Sequence, residues 1–153
     1  MNYAKNTQVG IDRSRNEIER ILIRYGASDF GYMRREKFIM IAFRAVNRNI
    51  RFIVKTPSKE RFLKTEKGRQ RRSQSLIEKA YDLAVRQQWR TLALGIKAKL
   101  AFVEGGIETF EEAFLAQIVL PNGKTVAEVT TPLIEQMYQS GKNIALLNYE
   151  TGE

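Results

Sequence analysis

The sequence predicts an α+β fold: a helix, a three-stranded antiparallel meander, a long amphipathic helix, then a small helical C-terminal part with a short hairpin. Three observations carry this. Apolar residues recur at helical spacing behind Ser/Thr-x-x-Glu patterns at Ser14, Ser75 and Thr109, each the signature of a helix N-terminus. Three runs between residues 29 and 55 are rich in aromatic and branched residues and are separated by polar turns, the pattern of strands. Glycine stands where each helical run fails, at Gly26, at Gly105 and Gly106, and at Gly141.

Taken in order, Ser14 and Glu17 open a helix placed at about 15 to 25, with Ile18, Ile21, Leu22 and Tyr25 on one face. DFGYMRR, KFIMIAFRAV and NIRFIVK follow as the meander, with REK and NR as turns. In the middle strand Ile39, Ile41 and Phe43 alternate with Phe38, Met40 and Ala42, which predicts a central strand covered on both faces. Pro57 ends the meander, and a short helical turn is expected around Phe62. The long helix runs from Gln70 or Ser75 to Val103, with Ser75 and Glu78 as its capping pair, a length of roughly 40 Å from Ser75. Thr109 and Glu112 cap a short helix whose buried face is Phe110, Ala113, Phe114 and Ile118. Asn122-Gly123 predicts a tight hairpin, Thr131-Pro132 a last helix, and the tail NIALLNYE a further strand.

The 153 residues suit one domain, with a basic part over about 14–104 and an acidic helical part over about 105–153. There is no cysteine and no histidine, which removes thiolate nucleophiles, disulfides, cysteine-bound zinc and the commonest general base. No catalytic residue, resident metal or cofactor is assigned. The remaining enzymatic route is a divalent ion on Glu104, Glu108, Glu111 and Glu112, as in a metal-dependent nuclease. With no long apolar run and no apolar leader, neither membrane spanning nor export is expected, and the expected location is the cytoplasm.

Charge is the strongest functional signal. The net charge is +9, and it divides unevenly: residues 1–100 hold 24 Lys/Arg against 9 Asp/Glu, residues 101–153 hold 2 against 8. Such a surplus points to a polyanion, most often nucleic acid. In KTEKGRQRRSQS, Lys64, Lys67, Arg69, Arg71 and Arg72 face only Glu66. They stand at a helix N-terminus, where the macrodipole prefers anions, so the arrangement costs stability until a phosphate arrives. Along the long helix Arg72, Lys79, Arg86, Arg90 and Lys97 fall within about 20 degrees of one line, opposite Ile77, Tyr81, Ala84, Val85, Leu92, Ile96 and Phe102. Trp89 lies between the two sides, and Leu76, Leu83 and Leu94 lie close beside the line, where another element would have room to cover part of it. Arg51 and Lys55 of the third strand extend the expected surface. Phosphate contacts position without reading sequence, so weak base preference is expected.

Two alternatives accompany this. Aromatics in the meander read mainly as core, with Tyr32 the fair candidate for exposure. The acidic part, through residues such as Phe110, Phe114 and Tyr138, would suit a protein partner or a second copy, as in a host-takeover, inhibitor or assembly factor.

The order helix, three strands, helix with a basic N-terminus, over about residues 14–90, is similar to double-stranded RNA binding domains, although the histidine usual in that family is absent. A meander packed on a long helix is also similar to phage single-strand annealing proteins. The runs RSRNEIERILIRYGA and QQWRTLALGIKAKLAFVEGGIETFEEAFLAQIVLPNGKTVAE resemble a family of small, functionally uncharacterised proteins encoded by bacteriophages and related mobile elements. That resemblance implies a phage or prophage setting and no particular activity.

Overall fold

The computed structural model describes residues 3–65, 68 and 71–145, with residues 3–6 described by backbone alone. In chain order it contains α1 (Tyr3–Arg24), β1 (Ser28–Arg34), β2 (Phe38–Ala45), β3 (Arg48–Lys55), a 3-10 turn (Lys59–Phe62), α2 (Gln74–Glu104), α3 (Phe110–Ala113), a 3-10 turn (Leu115–Gln117) and α4 (Val126–Ser140). The strands form one antiparallel sheet in the order β1-β2-β3. The α+β architecture expected from the sequence is the one observed.

α1 begins well ahead of Ser14. Thr7, Ile11, Ile18 and Leu22 recur at steps of four, seven and four and are all buried, so the face that needs covering starts earlier and the helix with it. Ser14 therefore lies inside a helix instead of capping one. Gly26, at φ 78°, ends it in the left-handed conformation that glycine adopts without strain.

β2 is central, but the helices cover only one of its faces. Ile39, Ile41, Phe43 and Ala45 are buried, whereas Phe38, Met40 and Ala42 are half-buried and Arg44 is exposed. Register places Met33, Met40 and Ile53 in one row across the uncovered face, and Met33 and Ile53 are exposed. The expectation of two covered faces fails because both long helices share a side.

α2 carries Ile77, Val85, Trp89, Ala93, Ile96 and Leu100 as its buried residues. Its N-cap is Ser73, and Ser75, the expected cap, sits in the first turn within 3.3 Å of the Ser73 hydroxyl. Tyr81, Ala84 and Leu92 are half-buried on the expected side. Phe102 is not covered: it stands about 120 degrees round from Ile96 and is 46% exposed. The 3-10 turn shields that flank near Tyr81, where Phe62 meets its ring at 6.4 Å, and does not reach the far end. Trp89 is buried, tilted against Tyr32 at 5.4 Å. Tyr32 is thereby half-buried, with Arg15 over its ring, instead of offering a free face.

α1 and α2 run side by side and parallel. The Arg86 stem crosses Gly10, where a Cβ would come within 2.9 Å of its Cδ. At the other end the Tyr25 hydroxyl donates to Glu104 at 2.7 Å. A side chain at position 10 would force the Arg86 stem to move aside.

The C-terminal part closes the core. The Thr109–Glu112 capping box is present with both bonds. Phe114 is fully buried and meets Phe110, Phe43 and Phe52 at 4.6, 6.1 and 6.2 Å. Phe114 lies in the core and Phe110 packs half-buried against it, as the buried-face expectation has it, so neither is free for the partner surface of the alternative reading. α4 opens at Thr125–Glu128, a capping box with both bonds formed, and Pro132 lies within the helix instead of starting it. The Pro121-Asn122-Gly123 turn forms, but its flanks reduce to the isolated bridges Val119↔Thr125 and Ile50↔Ile118. Residues 143–145 are irregular, and the rest of the expected strand, from residue 146, lies outside the described residues.

The β2–β3 turn holds Val46 at φ 49° and Asn47 at φ 57°, both in the left-handed region that this two-residue turn demands. Asparagine tolerates that region, while a branched side chain there costs about 1–2 kcal/mol. Val46 is 63% exposed, so little packing offsets the strain. Val46→Asn should raise the stability by about 1 kcal/mol, read as a higher urea midpoint at unchanged slope.

Candidate nucleic-acid interface

Of the eleven cations expected to form one surface, the nine that are described fall into four places. Arg86, Arg90 and Lys97 are exposed on the outer side of α2, as helical spacing requires, and among the described residues none of the three has a carboxylate partner. Lys79 is exposed on the same line. Lys64, Arg71 and Arg72 gather at the start of α2: Lys64 bridges Arg71, and the Arg72 guanidinium turns toward the Phe62 carbonyl at 3.5 Å. Lys64 and Arg72 share with Arg61 a hollow of about 530 Å³. Lys67 and Arg69 lie outside the described residues.

Arg51 and Lys55 do not extend the line. Arg51 is half-buried, donating to the Gly123 carbonyl at 2.8 Å and to Glu128 at 3.0 Å. Its charge holds the α4 cap and is answered within the molecule. Lys55 points into a separate cleft with Arg34, Arg35, Lys37 and Lys59.

Parallel packing of α1 supplies cations that the sequence reading leaves out. Arg13, Arg20 and Arg24 are exposed and fall within about 40 degrees of one line on α1. Because Gly10 marks the side of α1 that meets Arg86, this line flanks the same seam as Arg86, Arg90 and Lys97. Two basic ridges thus border one shallow trough. Glu17, half-buried on α1, is the acid closest to that side by helical spacing. A helical-wheel comparison of both helices would reveal the second ridge only with their parallel packing known. Leu76, Leu83 and Leu94 stay exposed beside the α2 ridge, so no element covers it there.

Glu104, Glu111, Glu112 and Glu128 of the C-terminal part are occupied elsewhere. Glu104 accepts from Tyr25, whose phenol is pushed up by that bond. Glu111 pairs with Arg48. Glu112 and Glu128 each accept the backbone N–H of their own N-cap at 2.7 Å, which holds both carboxyls below the usual range. Among the described residues no three side chains of metal-binding type converge, so Glu104, Glu108, Glu111 and Glu112 do not form the centre that a divalent ion would need. Among the same residues no helix is long and apolar enough to cross a membrane.

No family model matches this chain, and neither a curated protein nor a solved structure matches it. The reading of function therefore stands on the residues themselves.

The lowered carboxyls of Glu112 and Glu128 make α3 and α4 sensitive to acid. Each cap contributes stability above the ordinary value of 4.5 and loses it as pH falls through the lower folded value. Helical circular dichroism should begin to fall below pH 4.5. Glu128→Gln, which can keep the box without titrating, should remove part of that pH dependence while leaving the helix at neutral pH.

Proposed function

We propose that this chain binds nucleic acid through the phosphate backbone, with little sequence preference, along the trough between α1 and α2. The observation that carries the reading is the exposed row Arg86, Arg90 and Lys97, without carboxylate partners among the described residues. Like charges at helical spacing repel, and a phosphate chain turns that cost into attraction by releasing its counterions. Arg71 and Arg72 beside the first turn of α2, a turn with no acid in it, favour the same ligand. The resemblance to phage and mobile-element proteins suits a role in phage DNA or RNA metabolism within a bacterial cell. No catalytic step is part of this reading.

A second reading rests on α4. Among its described residues none is buried, and Tyr138 is 85% exposed beside Ile134. A helix with that much unburied apolar surface suits a protein partner or another copy of the chain. Binding that survives nuclease treatment and is lost on Ile134→Ser with Tyr138→Ser would support it.

The nucleic-acid reading is tested by fluorescence anisotropy on single-stranded DNA, duplex DNA and RNA over a salt series. Changing Arg86, Arg90 and Lys97 together to Ala should weaken binding on all sequences alike. The slope of log K against log salt should fall by about 2 to 3, one contact per residue. An unchanged slope would remove the proposed surface.

A further inference from the structure

We infer that the cleft at the end of the sheet is a separate site for a chain of phosphoryl groups. It has a volume of about 1140 Å³ and is walled by the β1–β2 turn, the end of β3, the 3-10 turn and Tyr81 of α2. Arg34, Arg35, Lys37, Lys55 and Lys59 line it against only Glu36 and Glu60. Neither acid forms an ion pair with any of them among the described residues. Three positive charges are left over in one concavity, where field lines concentrate.

The backbone brings these cations together by fixed bonds. Thr56 donates through its N–H to the Lys37 carbonyl at 3.0 Å and through its hydroxyl to the Glu36 carbonyl at 2.7 Å. The Arg35 N–H donates to the Phe38 carbonyl at 2.8 Å. Lys59 is held over the Tyr81 ring at 5.4 Å, an aromatic contact that steadies its ammonium. Guanidinium forks next to ammonium groups recognise phosphoryl oxygens through charge-assisted bonds. The space exceeds what one phosphate fills and lies at the scale of sites for whole small ligands.

Tyr81 lies about 140 to 180 degrees round α2 from Arg86, Arg90 and Lys97. The cleft and the trough therefore open on opposite sides of that helix and bind independently. The phosphoryl chain has two sources with the same chemistry, a free polyphosphate or nucleotide and the phosphorylated end of a strand.

Calorimetric titration of the full chain with sodium tripolyphosphate at low salt tests the site. Saturable binding is expected, weakened at least about tenfold by Arg35→Ala with Lys55→Ala. It should be changed less than about twofold by the Arg86, Arg90, Lys97 triple change. Absence of saturable binding, or equal loss in the two variants, would overturn the inference. In a parallel arm, tighter binding of a 5′-triphosphorylated oligonucleotide than of its 5′-hydroxyl form, lost in the double variant, assigns the cleft to strand ends. Equal binding of the two forms, with tripolyphosphate still bound, assigns it to free polyphosphates. If tripolyphosphate binds and no oligonucleotide does, the cleft stands and the nucleic-acid reading of the trough falls.

Discussion

The setting of α2 about its own axis governs everything outside the core. Trp89 is its largest buried residue, wedged beside Tyr32, with Val85, Ile96 and Leu100 buried along the same flank. Rotating the helix away from this setting would expose the indole and bury Arg86 or Lys97 in its place, each costing several kcal/mol. The cations are therefore outside because the tryptophan is inside. α1 lies beside α2, parallel to it and close enough at Gly10 to carry the Arg86 stem.

This arrangement separates the charges by neighbourhood as well as by sequence. Among the described C-terminal carboxylates, Glu104, Glu111, Glu112 and Glu128 are engaged with Tyr25, Arg48, Arg51 and the caps of α3 and α4. They reach the ends of elements and the edge of β3, and the α1–α2 trough keeps its cations without them. The surplus of the basic part thus becomes a surface property, concentrated where two helices present their outer sides together. The uncovered face of the sheet has a different character. Met33, Met40 and Ile53 form its centre, and these side chains lack the planar faces on which bases stack.

Features set by local geometry were legible in the sequence. The line Arg86, Arg90, Lys97 follows from helical spacing alone, and the Thr109 cap follows from chemistry within four residues. Ser75–Glu78 and Ser14–Glu17 have the same spacing as Thr109–Glu112 yet cap nothing: burial of Ile11 draws α1 past Ser14, and α2 starts from Ser73, which leaves Ser75 in its first turn. Thr125–Glu128 has the same spacing and starts α4, six residues ahead of the Thr131-Pro132 signal, because proline inside this helix is tolerated. What the sequence could not supply was long-range: the parallel packing that brings Arg13, Arg20 and Arg24 beside α2, the Glu128 that claims Arg51, and the sharing of one sheet face by both helices. Each depends on residues roughly 50 to 80 positions apart meeting, which no window of periodicity contains.

The parallel pairing also fixes an order of events during synthesis. α1 leaves the ribosome first, yet the surface that accepts Ile11, Ile18 and Leu22 includes a helix that ends at Glu104. For the time it takes to make that stretch, several seconds at elongation rates of about 5–20 residues per second, the nascent amphipathic segment lacks its packing partner. Its apolar face is covered only once the second helix has emerged.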